Sequence, residues 1–124
     1  MNLRAGPGRS YEILSELPKG SKVHVTGQKG SWYSVQLPEG VPAYLHRNFT
    51  RLEEGWAQVR GERVHVRVNP RPAATSWGTV SSPERVQVLG QQGEWLKIQP
   101  PAFCRGWVHR DYVLFLEGVA DGQH

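Results

Sequence analysis

The sequence predicts an all-β protein built from two small, similar units in tandem. Three observations carry that prediction. The chain resembles itself at a fixed offset, its apolar residues alternate with polar ones in short runs, and Gly or Pro separates those runs.

Sliding the chain by 63 residues aligns its halves without a gap and gives twelve identities over residues 3–52. Arg4 meets Arg67 and Pro7 meets Pro70. Val23-x-Val25-x-Gly27-Gln28 meets Val86-x-Val88-x-Gly90-Gln91. Gly30-x-Trp32 meets Gly93-x-Trp95, and His46-Arg47 meets His109-Arg110. Chance supplies a few such matches, but not a constant register confined to turn, strand and aromatic positions. The chain is a tandem duplication.

In order, unit one opens with a strand at Leu3-Arg4 and runs into a long Gly/Pro loop. The alternation in KVHVTG marks the next strand, a Gln-Lys-Gly turn follows, and WYSVQL pairs back as a hairpin. Tyr33, Val35 and Leu37 share one face of that strand; Trp32, Ser34 and Gln36 share the other. AYLHRNF then gives a last strand and a one-turn helix. Unit two repeats the series with RVQVLG, WLKIQP and GWVHRDY. It also has an opening strand, Trp56-Ala57-Gln58-Val59, whose counterpart would lie upstream of Met1. The expectation is therefore a chain trimmed from a longer protein or following a removed signal, with an incomplete first barrel as the alternative. The units divide as residues 1–53 and 54–124, across a linker so short that they should pack together or hold a fixed angle. About 50 to 60 residues cannot make a sandwich, so closure of each unit into a small barrel is the natural way to remove sheet edges.

Composition agrees with a folded domain pair. Of 124 residues, 38% are hydrophobic and 21% charged, with five Trp, too aromatic for a disordered chain. No apolar run approaches the roughly 20 residues of a membrane span, and no signal peptide is visible. The net charge of +4 sits in residues 1–52, whereas residues 53–124 are neutral. A basic first half could attract polyanions, or simply be a solvated surface.

Candidate chemistry is sparse. The five His (24, 46, 65, 109 and 124) show no ligand spacing, and the relation of His46 to His109 comes from the duplication, so no metal site and no cofactor are expected. His24 and His65 fall on strands at solvent-facing positions. Cys104 is the single cysteine and excludes an internal disulfide; it stands where unit one has Val41, the place of a small buried or edge residue rather than a nucleophile. Gly6-Pro7-Gly8 lacks the Lys and helix of a phosphate loop and reads as a turn. No catalytic constellation is present, and an enzyme is not expected.

The motifs Arg4-x-Gly6-Pro7-Gly8, Leu17-Pro18-Lys19-Gly20, Val23-x-Val25, Gly30-x-Trp32-x-x-Val35 and, in unit two, Gly106-Trp107-Val108 with Tyr112 resemble the bacterial SH3-like domain in two tandem copies. The resemblance implies two SH3-like barrels, each with a one-turn 3-10 helix near its end. Unit two departs from it in the long loop, where NPRPAATS replaces GPGRSYEI. By analogy with SH3 barrels, a ligand groove lies between the long loop and the turn after the fourth strand. The resemblance places Tyr11, Trp32, His46 and Phe49 in the groove of unit one, and Trp95, His109 and Tyr112 in that of unit two, where Ala74 replaces Tyr11. The alternative is that these rings seal the barrels or their mutual contact, with His46 only bracing the turn and Asn48 and Asp111 serving as local caps.

Such domains accompany cell-wall hydrolases and envelope proteins. The resemblance therefore implies a non-catalytic targeting module in the bacterial envelope, periplasmic or extracellular, that binds peptidoglycan or its peptide part. The alternative is an intramolecular scaffold packing on another domain of a longer chain or on a protein partner. Nucleic acid is disfavoured, because unit two is neutral and no Lys/Arg stripe accompanies the rings.

Overall fold

The computed structural model describes residues 1–114, so the last ten residues of the expected second unit lie outside the described residues. Among the described residues twelve strands form: β1 (Asn2–Arg4), β2 (Ile13–Glu16), β3 (Val25–Lys29), β4 (Trp32–Gln36), β5 (Ala43–His46), β6 (Thr50–Glu53), β7 (Trp56–Val59), β8 (Val64–Arg67), β9 (Ser76–Val80), β10 (Arg85–Gln92), β11 (Trp95–Ile98) and β12 (Arg105–His109). One-turn 3-10 helices follow β5 at Arg47–Phe49 and β12 at Arg110–Tyr112, as the sequence predicts.

The hairpins are local consequences of the turn residues. Gly30 and Gly93 adopt φ of 59° and 61° at two-residue loops, where Lys29 faces Trp32 and Gln92 faces Trp95. Positive φ at the first loop residue matches the twist of the flanking strands, and glycine reaches it without a Cβ clash.

The sheets do not follow the division of the sequence at residue 53. The first sheet has the order β2-β1-β12-β4-β3 and the second β6-β7-β10-β11-β5-β8-β9. β5 of the first repeat lies between β11 and β8 of the second, while β12 of the second repeat lies between β1 and β4 of the first. Each repeat lends its fifth strand to the other. The connectors preceding the exchanged strands contain Pro38 and Pro42 in one case and Pro100 and Pro101 in the other. Each connector makes a turn at its proline, with Val41 N–H donating to Pro38 O at 3.4 Å and Cys104 N–H donating to Pro101 O at 3.0 Å, before the strand enters the other sheet.

Two closed barrels were expected; the structure instead shows two open sheets of five and seven strands. The fifth strand that would bridge each unit's own strands has been given away. Among the described residues, β2 and β3 are the edges of the first sheet, and β6 and β9 those of the second.

The core has three parts. Under the second sheet, Leu45 and Ala43 of the first repeat pack with Val59, Val66, Leu96 and Ile98. Under the first, Val108 of the second repeat packs with Leu3, Leu17, Val35 and Val41. Ala5, Val68 and Ala74 join the sheets, with Trp77 against all three parts. Ala5 and Val68 hold the same position in the two repeats, so this contact has the character of a local two-fold axis. Glu12 and Thr75, again one position seen twice, meet beside it: the Thr75 amide N–H and hydroxyl donate to the Glu12 carboxylate at 2.9 and 2.7 Å. Burial opposes the charge on Glu12, but the two Thr75 bonds, aided by Arg71, outweigh it and hold the carboxyl below its ordinary value.

Candidate functional site

Strand register decides which rings meet. β12 runs antiparallel to β4 with His109 opposite Trp32, and β5 runs antiparallel to β11 with His46 opposite Trp95. His109 stands edge-on to Trp32 with ring centroids 5.2 Å apart and lies 6.2 Å from Tyr112. His46 stands edge-on to Trp95 at 5.0 Å and lies 5.9 Å from Phe49. The structure thus makes two equivalent clusters, Trp32–His109–Tyr112 and Trp95–His46–Phe49, each drawn from both repeats.

The grouping expected within unit one is re-sorted by the exchange: His46 and Phe49 accompany Trp95, and Trp32 takes His109 and Tyr112. Tyr11 joins neither cluster. Its ring lies on the backbone of its own loop, where a side chain at Gly6 would collide with it. Phe49 and Tyr112 keep 49% and 61% of their surface exposed, so these rings are open rather than sealed.

The helical turns owe their caps to the histidines. His46 Nδ1 accepts from the Asn48 amide at 3.2 Å, and His109 Nδ1 accepts from the Asp111 amide at 3.1 Å. Asn48 and Asp111, expected as caps, supply their backbone N–H groups instead, and the Asp111 carboxylate also lies 3.6 Å from His109 Nδ1. An imidazole with Nδ1 as acceptor carries its proton on Nε2 when neutral. Each histidine therefore braces the turn and presents its ring to the tryptophan at once.

The cluster at Trp32 borders a cavity of about 210 Å³ lined also by Met1, Asn2, Arg4, Arg9 and Glu16. The Arg4 guanidinium donates to the carbonyls of Arg9 and Tyr11 at 3.1 and 3.0 Å, stapling the long loop beside the cavity. Arg67 does the same at Ala74, the counterpart of Tyr11, at 2.8 Å. This staple survives the change of loop sequence, which explains why an Arg recurs at both positions. At the Trp95 cluster the positions of Arg9 and Glu16 are Pro72 and Thr79, so it lacks those two charges. A larger cavity of about 690 Å³ lies between the crossing connectors, lined by residues such as Pro38, Val41, Pro101 and Arg105, and holds no aromatic ring.

The remaining candidates fall outside both clusters. His65 is exposed on β8, 2.8 Å from the Ser76 hydroxyl, while His24 is exposed but precedes β3 rather than lying in a strand. Cys104 is buried like Val41, and burial pushes its thiol up to about 12, which removes thiolate chemistry at neutral pH. Trp77, whose Nε1 donates to the Arg105 carbonyl at 2.7 Å, was not singled out in the sequence; in the repeat alignment it stands opposite Leu14, so the duplication gave no signal there. Among the described residues no group of three His, Cys, Asp or Glu could hold a metal ion.

The bacterial SH3 domain profile matches residues 1–57 and again 62–113. The chain belongs to the bacterial SH3 domain family. It is similar to the putative N-acetylmuramoyl-L-alanine amidase YrvJ of Bacillus subtilis (strain 168), at 25% identity over 123 residues. That match covers 91% of this chain but 24% of the relative, so the chain spans about a quarter of the relative's length. No solved structure matches it. Among the described residues, no helix of this bacterial SH3 pair is long and apolar enough to cross a membrane.

Proposed function

We propose that this bacterial SH3 pair is a non-catalytic targeting module that holds an envelope protein on peptidoglycan by the peptide part of the polymer. The observation that supports the reading is the pair of Trp–His–Phe/Tyr clusters at equivalent positions, each half-buried at its Trp and His and exposed at Phe49 or Tyr112. Flat, rigid rings offer contact area at little entropic cost and suit an extended peptide. Arg9 beside the Trp32 cluster adds attraction for the carboxylates of such a peptide. The relative's name refers to a muramoyl-alanine amide, the junction of glycan and peptide, which fits a shared polymer. The place of action is then the periplasm or the cell exterior.

The test is co-sedimentation with purified peptidoglycan at low and at near-physiological salt. Wild type sediments under both conditions, Trp32→Ala and Trp95→Ala each weaken it, and the double variant stays in solution. Retention that vanishes with salt and ignores both substitutions would show polyanion attraction instead. No retention at all would leave the clusters to a protein partner and overturn the reading.

A further inference from the structure

The two sheets differ at one edge. In the second, Arg85, Val86 and Gln87 of β10 are paired by Gln58, Ala57 and Trp56 of β7. The bond from Val59 N–H to Glu84 O at 2.7 Å and that from Val88 N–H to Gly55 O at 2.8 Å bracket this ladder. In the first sheet the counterparts are Lys22, Val23 and His24. They bond inward as their duplicates do: His24 O accepts from Gln36 N–H at 3.0 Å, as Gln87 O does from Gln99 N–H. Among the described residues, no strand lies on their outer side.

The core records the same deficit. Ala57 and Val59 of β7 are fully buried under the second sheet, and Val86 is buried beside them. Under the first sheet no described residue takes the places of Ala57 and Val59, and Val23 is only half-buried. An edge with unpaired N–H and C=O groups over an incompletely covered apolar row is a template for another strand.

The chain itself carries a matching segment. β5, its helical turn, β6 and β7 form one continuous run, residues 43–59, all on the second sheet. The counterpart run, residues 106–122, enters the first sheet through β12. β6 and β7 are joined by a two-residue turn, Glu54-Gly55, with φ of 38° and 87°. The repeat reaches this far: Glu54-Gly55-x-Ala57 matches Glu-Gly-x-Ala at residues 117–120. Gln58 faces Arg85 in the second sheet; their sequence counterparts are an Asp at position 121 and Lys22, a pair of opposite charges.

We propose that the edge Lys22–Val25 is a strand-acceptor site and that its occupant is the chain's own segment 119–122. The first sheet then gains the counterpart of β7, set beside β3 as β7 is set beside β10.

Amide hydrogen exchange on the full chain tests this. The alternation of antiparallel bonds makes the Val23 and Val25 N–H groups the donors to the added strand. They exchange about tenfold or more slowly in the full chain than in a chain ending at Leu114, or in full-length Ala120→Pro, which removes a ladder donor. The second variant keeps the test decisive if the shortened chain does not fold. Equal exchange in all three overturns the proposal, as does protection that grows with protein concentration, which would assign the edge to a second copy. A Lys22→Cys/Asp121→Cys variant gives an independent reading, since directly opposed residues lie within disulfide reach and Cys104 is buried. A monomeric disulfide supports the pairing; disulfide dimers alone overturn it.

Discussion

His109 and Trp32 are direct cross-strand partners, with rings 5.2 Å apart at 85°, although they belong to different repeats. Edge-to-face pairs contribute about 0.5–1.5 kcal/mol beyond their area. A double-mutant cycle on Trp32→Ala and His109→Ala should therefore show coupling of about 1 kcal/mol in unfolding free energy. The cycle pairing Trp32→Ala with His46→Ala should show none, since His46 stands at Trp95. Coupling to His46 instead would mean that each repeat keeps its own strand.

The exchange makes each repeat incomplete alone. A fragment of residues 1–53 lacks β12, hence Val108 and the strand that links β1 to β4. Circular dichroism and size-exclusion chromatography should show neither 1–53 nor 54–124 as a folded monomer, and equimolar mixing should restore one folded complex. Independent folding of both fragments would contradict the exchange.

A single substitution probes the same contact. A Cβ at Gly106 would collide with the Leu3 side chain, which is fully buried. Gly106→Ala is expected to destabilise by about 1–3 kcal/mol, as overpacking does. Leu3→Ala, which opens space there, should lower the additional cost of Gly106→Ala. Thermal or urea unfolding of the four chains measures both.

Much of this was legible in the sequence because duplication turns weak local patterns into a register. The hairpins at Gly30 and Gly93, both 3-10 turns and the burial of Cys104 follow from residues that recur at fixed spacing. The exchange was not legible. Ala43 and Leu45 of β5 and Gly106 and Val108 of β12 present the same small-then-aliphatic inner face, so local pattern lets either strand complete either sheet. What differs is the path of the connectors over residues 37–42 and 99–104, a long-range property that alternation and turn residues do not encode. The cap role of His46 and His109 was hidden for another reason: Asn and Asp are the usual caps, and the imidazoles reach their amides only once the turn has formed.

The caps make a spectroscopic prediction. With Nδ1 accepting from an amide, the neutral imidazoles of His46 and His109 should appear in long-range proton–nitrogen spectra as the Nε2–H tautomer. His46→Ala and His109→Ala should each cost about 1 kcal/mol, as the loss of a cap does. Tautomer averaging at both residues would remove the cap from the account of these turns.

Cys104 gives a chemical test of packing. Burial raises its thiol from an ordinary value near 9.0 to about 12. Folded protein at pH 8 should resist alkylation, and denatured protein should react within minutes. The folded state binds the thiol proton more tightly than the unfolded state does. The stability linked to it is therefore full below about pH 9 and declines as pH rises toward 12.

Glu12 gives the opposite sign. Its carboxyl is held below the ordinary 4.5 by the two Thr75 bonds, which win over burial. The folded state thus binds that proton less tightly, and the stability it supplies is present above pH 4.5 and lost as pH falls below it. Glu12→Gln keeps the shape but removes the charge from both bonds. It should cost about 1 kcal/mol at pH 7 and flatten the acid limb of stability against pH. Because Glu12 and Thr75 join the two sheets where equivalent positions meet, the loss should also appear as faster exchange of the Thr75 amide. An unchanged acid limb would show that Glu12 does not carry the pH dependence of the contact between the sheets.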